Sequence, residues 1–518
     1  MAPGDFAELH RRLCVDSLTN RNPVRLYYGT SGVTICVKFV YPLTTLDTMN
    51  KSLHAVVVPF MFFALALFSV VFTADGAQKP NILIIVGDDM GYADVGFHGC
   101  KDIPTPNLDA LAKSGVYFTD GYVSGPYCSP TRAGLLTGRY QTRFGHEFNP
   151  AGTQEGLPPS ETTLADVLRT AGYTTGLVGK WHLGSLQELH PQRRGFDEFY
   201  GFLGGAHGYF NAGNILRGTT EVESMDYTTD AFGREGVAFI EQHKGEKPWF
   251  LYLAFNAVHT PMHATDKKME TFSAIENRGR RTYASMMSSM DDAIGQVIET
   301  LKKTGQYNNT LVAFISDNGG PVMRGTTTNF SSNAPLRGSK RTTLEGGIRV
   351  PFIVSFPGVI KPHVYRKPVI QLDITATAIA VAGTSKPDIE GVDLLPYLEG
   401  KNQAPPHDAL YWRFGTQQAI RAGDWKLVRY DLNVDNEKGT SAFCLFNLAE
   451  DIGEQNNLAE KMPEKVKELQ DKWNEWNKTN KDPLFGGNNV GMQSPGDAIE
   501  LVDDDGPEPG RTEAFARK

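Results

Sequence analysis

Four short polar clusters in this 518-residue chain each follow an apolar run of strand length. Asp88-Asp89 follows Asn-Ile-Leu-Ile-Ile-Val-Gly, and Lys180-Trp-His182 follows Thr-Thr-Gly-Leu-Val-Gly. His259 follows Leu-Tyr-Leu-Ala-Phe-Asn-Ala-Val, and Asp317-Asn318 follows Leu-Val-Ala-Phe-Ile-Ser. The C-terminal ends of strands are where parallel α/β sheets build their sites. Loops after strands are often polar, so one such tip carries little weight. Four tips, two acidic and two basic, point to convergence on one centre. Asp88, Asp89, Asp317 and Asn318 offer only oxygen ligands, a set suited to a hard cation such as Ca2+ or Mg2+ and unsuited to zinc. Either pair alone reads equally well as a turn cap; the two together favour a metal.

The elements that must position these residues follow from hydrophobic pattern. From Lys79 onward, strand-length apolar runs alternate with helical patterns, which predicts an α/β fold with a large, mostly parallel mixed sheet sandwiched by helices. Strands are expected at 81–87, 173–179, 248–255, 310–316 and 351–356. Helices are expected at 105–114, at 161–171 behind Ser160, and at 282–303, where Met286, Met287, Met290, Ile294, Val297, Ile298 and Leu301 form a core-facing stripe. After about Thr384 the texture changes. Segments 409–414, 418–422 and 425–430 suggest an antiparallel meander, followed by an amphipathic helix at 463–477 whose Trp473 and Trp476 are expected to pack. The resulting division is a catalytic domain over 78–384, a smaller C-terminal subdomain over 385–485 and a disordered Gly-, Pro- and Asp-rich tail over 486–518.

Composition sets outer limits. The chain is 40% hydrophobic and 21% charged with net charge −8, which argues against nucleic acid as a partner but leaves room for a locally basic pocket. Five scattered cysteines form neither a disulfide framework nor a zinc motif. An export signal is expected over 49–77: a basic stretch at Met49–His54, an apolar run at Phe60–Phe72 after Pro59, then small residues near Ala74–Ala77. Met49 is taken as the start of translation, and residues 1–48 as an artefactual or unstructured extension. The expectation is an exported protein, periplasmic or secreted after cleavage, with no stable membrane partner. An uncleaved anchor is the alternative, because the apolar run approaches a spanning length.

The most specific stretch is Gly125–Arg139 (GPYCSPTRAGLLTGR). Within it Cys128-Ser-Pro-Thr-Arg132 fits C-x-P-x-R, the pattern read by the machinery that oxidises cysteine to formylglycine. Together with Asp88-Asp89-Met-Gly-Tyr-Ala-Asp94, Gly179-Lys180-Trp-His182-Leu-Gly184, His259-Thr-Pro261, Asp317-Asn318-Gly-Gly320, Pro335-Leu-Arg337 to Lys340 and Glu345-Gly-Gly-Ile-Arg349, it resembles the formylglycine-dependent (type I) sulfatase family of the alkaline-phosphatase-like superfamily. The resemblance runs from about Lys79 to Trp473.

That resemblance implies a sulfuric ester hydrolase. Asp88, Asp89, Asp317 and Asn318 would bind Ca2+, with Mg2+ the second choice, and oxidised Cys128 would complete the shell. Arg132 and Lys180 would hold the formylglycine hydrate beside His182, while His259 and Lys340 would contact the sulfate and the leaving oxygen. One hydroxyl of the hydrate would displace the alcohol at sulfur, and the second, deprotonated by His182, would let the aldehyde re-form and expel sulfate, which serine could not do. The implied partners are a sulfated carbohydrate and a formylglycine-generating enzyme or equivalent maturase.

Four further residues are candidate substrate contacts. His207 sits in Gly204-Gly-Ala-His-Gly-Tyr-Phe210, Arg324 in the polar loop after the metal pair with Asn329, and Arg413 after a strand of the meander. Each either reads a sugar or is simply solvated or packed. Two other functions remain open at this point: a formylglycine-dependent phosphonate monoester or phosphodiester hydrolase, and a non-catalytic binder of sulfated glycans with an unconverted Cys128.

Overall fold

The computed structural model describes residues 79–430 and 442–486, apart from 153, 246, 324 and 325. The extension over 1–48, the export signal over 49–77, Arg324 and the tail beyond 486 therefore lie outside the described residues. No helix among the described residues is long and apolar enough to cross a membrane.

Ten strands make one sheet, in the order His363–Tyr365, Val116–Phe118, Phe352–Ser355, Thr310–Ser316, Asn81–Gly87, Trp249–Ala254, Thr174–Lys180, Glu198–Phe202, Leu216–Arg217 and Thr220–Glu221. Asn81–Gly87 is central and pairs in parallel with Thr310–Ser316 on one side and Trp249–Ala254 on the other. Its residues are β-branched or leucine at nearly every position because both faces are covered. Ile82, Ile84 and Val86 enter one core, and Leu83 and Ile85 the other. Full burial of each such side chain contributes roughly 1.5–3 kcal/mol. The sheet is mixed as expected: Phe352–Ser355 runs antiparallel to Thr310–Ser316.

One face is covered by Pro106–Ser114, Thr228–Gln242 and the long helix Arg278–Lys303, whose Met286, Met287 and Met290 are fully buried. The other is covered by Cys128–Thr137, Leu164–Thr170 and Leu372–Val381. Two helix starts differ from the sequence expectation, both because of capping. The long helix begins at Arg278, where the Asn277 side chain accepts from the Arg280 amide; its polar first turn carries no apolar stripe to announce it. The helix expected from Glu161 begins at Leu164, because Thr163 and Asp166 form a reciprocal capping box.

Leu410–Phe414, Gln417–Ala422, Trp425–Arg429 and Cys444–Asn447 form a separate antiparallel sheet in that order. Helix Pro463–Asn477 covers one face through Leu469 and Trp473. The opposite face sends Trp412, Ala419, Val428 and Phe446 into a core with Tyr122, Leu344, Ile348 and Ile370 of the first part of the fold. Trp473 Nε1 donates to the Trp412 carbonyl and Trp476 stacks on Tyr411, so both tryptophans pack as expected.

Candidate active site

Sheet order brings the polar tips together. Strands 310–316, 81–87, 249–254 and 174–180 are consecutive neighbours, so the residues that follow them share one edge. Gly87 lies opposite Ser316, which sets Asp88 beside Asp317. Gly179 lies opposite Ala254, which brings Lys180 to the same edge.

Ligand atoms of Asp88, Asp89, Cys128 and Asp317 all lie within 4.8 Å of one another, and all four residues are buried. The Asn318 amide nitrogen donates to Asp89 Oδ1 at 2.7 Å, while its own Oδ1 is buried without a partner. An orphaned carbonyl oxygen beside three buried carboxylates fits a hard cation, because the donor set is all oxygen and one acceptor is left unmet. Asp88, Asp89, Asp317 and Asn318 could hold such an ion.

Each carboxylate also meets a buried cation. Lys180 Nζ is 2.6 Å from Asp88, Arg132 Nη2 is 2.7 Å from Asp317, and Lys340 Nζ is 2.8 Å from Asp89. Burial pushes the Asp88 carboxyl up, but Lys180, His259 and Arg132 outweigh it and hold the group below the usual range. Three charges of each sign thus offset one another in a space closed to water, an arrangement costly to break at any single member.

Cys128 and Arg132 reach this cluster from helix Cys128–Thr137, four residues apart and therefore on one face. The Cys128 thiol donates to Asp88 Oδ1 at 3.7 Å. Its position at the first turn adds the helix's own positive end to a site already rich in cations. Burial nevertheless pushes the thiol up to about 12, against the opposing effect of Lys180 and Lys340. As an unmodified thiol it is protonated at neutral pH and a poor nucleophile.

The histidines flank the cluster. His182 is held well below its usual range by burial and then by Lys180 and Arg132, so its imidazole is neutral, with Nδ1 unpartnered. Its backbone is left-handed, at φ 59°, and its carbonyl accepts from Ser129 Oγ at 2.6 Å. That hydroxyl in turn lies 2.6 Å from His146 Nε2. His259 is lowered by burial and by Lys340; its Nδ1 lies 2.6 Å from the Thr260 carbonyl and its Nε2 3.6 Å from Asp89. Tyr209 Oη sits 2.7 and 2.8 Å from the carbonyls of Asn256 and His259, fixing the turn that carries the imidazole.

The four weaker sequence candidates are placed elsewhere or lie outside the described residues. Both ring nitrogens of His207 lie 2.6 Å from carbonyls of its own loop, Gly208 and Gly213, so the ring is turned into that loop. Arg413 pairs with Glu147 at 2.7 Å and donates to Asn477, joining the second sheet to the segment after the Cys128 helix. Arg324 is not among the described residues. Asn329 is neither solvated nor aimed at a sugar. It is fully buried, and its amide donates to the backbone carbonyls of Asp89 and Val258 at 3.0 and 2.9 Å. Motif reading missed His146 altogether and gave Ser129 and Asn329 no supporting role, because Ser129 and Asn329 act through backbone carbonyls far away in sequence and His146 through the Ser129 hydroxyl.

Comparison with known proteins agrees with this geometry. The sulfatase family model matches residues 80–384, and a model described as the C-terminal part of N-sulphoglucosamine sulphohydrolase matches 338–479. The chain is 32% identical over 465 residues to mouse arylsulfatase J, covering 78% of this chain and 77% of that one. It is 35% identical over 389 residues to human N-acetylgalactosamine-6-sulfatase, covering 68% of this chain and 72% of the relative. Among solved structures it is similar to Ps i-CgsB in complex with k-i-k-neocarrahexaose, at 35% identity and TM-score 0.73, covering 82% of this chain and 99% of that one. A phosphonate monoester hydrolase from Silicibacter pomeroyi shares the fold at 20% identity and TM-score 0.59. The polar edge of the sheet, the Cys128 helix and these matches lead to one conclusion: the chain belongs to the sulfatase family, with its alkaline-phosphatase-like fold.

Proposed function

We propose that this protein removes sulfate from a sulfated carbohydrate, with residue 128 as the nucleophile after a maturase has oxidised Cys128 to formylglycine, and with Ca2+ held by Asp88, Asp89, Asp317 and Asn318. The observation that carries the reading is Cys128 itself. Its sulfur sits among carboxylate ligands and buried cations, yet burial keeps the thiol protonated up to about 12, so the position makes chemical sense for a different functional group. Relatives named N-acetylgalactosamine-6-sulfatase and a neighbour solved with k-i-k-neocarrahexaose support a carbohydrate as the alcohol.

A bound divalent cation would supply Lewis-acid stabilisation of sulfuryl oxygens, and the modified residue would supply the attacking oxygen. The chain's own side chains do the rest. Arg132, Lys180 and Lys340 are fixed cations in a water-excluded site, where charge developing on sulfuryl oxygens is stabilised most strongly. His182, neutral and unpartnered at Nδ1, accepts a proton from the residue-128 side. Lys340 Nζ and His259 Nε2 converge on Asp89 and face the leaving-group side, where a proton is donated to the departing sugar oxygen. Export through the segment over 49–77 belongs to the same proposal, since polymeric sulfated glycans lie outside the cell.

The test uses protein co-expressed with a formylglycine-generating enzyme. The peptide containing residue 128 should lose mass relative to the thiol form, and an aryl sulfate should be hydrolysed faster than an aryl phosphodiester. Equal activity from protein with an unaltered thiol would sink the nucleophile, and preference for the phosphodiester would sink the reaction class.

A further inference from the structure

We propose that Arg341, laid over Tyr127 beside the centre, is a subsite for a second anionic group on the sugar, a sulfate or carboxylate other than the one removed. The proposal rests on the reading of this protein as a glycan sulfatase and adds that its substrate is multiply anionic.

Every cation within the buried cluster is committed to a carboxylate: Arg132 to Asp317, Lys180 to Asp88, Lys340 to Asp89. Arg341 follows Lys340 directly and differs from it. Among the described residues its guanidinium has no ion pair and no hydrogen bond; its contact is the Tyr127 ring, with Cζ 5.7 Å from the ring centre. Lys340 Nζ lies 5.4 Å from the same ring. Tyr127 is half-buried and immediately precedes Cys128, so one ring is shared by a buried cation of the centre and by Arg341, which is only half-buried.

The backbone holds this arrangement firmly. The Arg341 amide donates to the Pro126 carbonyl at 2.7 Å, and its own carbonyl accepts from Gln417 Nε2 at 2.8 Å. Arg341 adopts φ 72°, a left-handed conformation that disfavours any residue bearing a Cβ and that glycine takes freely. A large, charged side chain kept where glycine would be relaxed is strain of the kind that gathers at binding sites. A stacked guanidinium retains the edge that forks onto sulfate or carboxylate oxygens, and stacking pre-orders that edge before a ligand arrives. The first anion is destined for residue 128; the second would lie one sugar substituent away, over Tyr127.

Arg341→Gly and Arg341→Lys, matured as for wild type, test this. Steady-state rates are measured on an aryl monosulfate, on mono- and disulfated N-acetylgalactosamine, and on a monosulfated disaccharide carrying a uronate. For Arg341→Gly, kcat/KM on the aryl sulfate and the monosulfated sugar should stay within twofold of wild type. It should fall at least tenfold, mainly through KM, on whichever of the disulfated or uronate substrates wild type prefers. Those two substrates also distinguish a sulfate from a carboxylate as the second anion. Arg341→Lys should recover part of the loss, and the salt dependence of kcat/KM on the preferred substrate should flatten in the glycine variant. Glycine suits the backbone here, so its melting temperature should match or exceed wild type and misfolding cannot mimic the result. Equal loss on all substrates, or no loss on any, overturns the proposal. A wild type that cleaves none of the sulfates overturns the sulfatase reading and this proposal with it.

Discussion

Burial pushes the Cys128 thiol up to about 12, which disfavours the thiolate that a cysteine nucleophile needs. Cys128→Ala should therefore cost the proposed activity entirely while changing stability little, because a small buried side chain is replaced by another; thermal denaturation and turnover measured side by side check both halves. Asn329 makes a subtler case. Its amide spans the backbones of Asp89 and Val258, one carrying a proposed cation ligand and the other leading into His259. Asn329→Asp keeps the shape but removes both donated hydrogen bonds and adds a buried charge. Partners of this sort usually govern metal affinity by roughly 10–100-fold. We expect half-maximal reactivation of chelator-treated enzyme to need correspondingly more Ca2+, with Asn329→Ala milder than the aspartate. An unchanged Ca2+ requirement would remove Asn329 from the support of the site.

Among elements, the loop over 204–213 shows how a segment without regular structure is made specific. The His207 ring lies inside it between the Gly208 and Gly213 carbonyls, and it passes so close to His182 that a Cβ on Gly205 would lie 2.5 Å from the imidazole Nε2. Glycine at 205 is thus required by close approach. Gly205→Ala should displace the His182 ring, and a shift of about 1 Å in a proton-transfer group can cost on the order of 100-fold in rate. The expected result is a drop in kcat with KM nearly unchanged and a cooperative unfolding transition close to wild type; a kcat equal to wild type would show that the loop gives way instead. The Leu164–Thr170 helix is an element whose start depends on chemistry rather than pattern. Removing the Thr163 cap in Thr163→Ala should lower stability by about 1 kcal/mol, read from chemical denaturation.

Across the whole molecule, the joint between the two sheets is electrostatic as well as apolar. Lys426 of the second sheet sends Nζ to Glu345 at 2.8 Å and to Glu454 at 2.9 Å, and all three side chains are fully buried. Two carboxylates sharing one ammonium cannot both be strongly favoured as anions. Burial opposes ionisation of each; Lys426 and Arg349 overcome it for Glu345, held down to about 2, while Glu454 is pushed up to about 7. The two shifts act on stability in opposite senses. The Glu345 contribution is present above about 4.5, its ordinary value, and is lost as pH falls towards about 2. The Glu454 contribution is present below about 4.5 and is lost as pH rises through about 7. The joint should therefore be firmest in mildly acidic solution, and Glu454→Gln should flatten the decline in melting temperature between pH 4.5 and 7. A wild-type melting temperature that rises across that interval would contradict this.

The sequence by itself marked the candidate site residues and most of the frame. Asp88-Asp89, Lys180, His182, His259 and Asp317-Asn318 were legible because each follows a fully buried strand, whose unbroken apolar run marks where the chain emerges at the sheet edge. The Cys128–Arg132 pattern was legible because C-x-P-x-R lies whole within five consecutive residues. Tertiary structure alone decided what depends on sheet order and on contacts between distant segments. Adjacency of strands 310–316, 81–87, 249–254 and 174–180 turns four separate tips into one centre. Asn329, more than two hundred residues from Asp89, has no local pattern to betray its two hydrogen bonds. Arg413 reads like a surface ligand until Glu147 folds against it, and Arg341 reads like any basic residue until its guanidinium is seen over the Tyr127 ring with, among the described residues, no carboxylate paired to it. Local periodicity is set by which face of an element is buried; the use of a polar side chain is set by which other polar group the fold brings within about 3 Å of it.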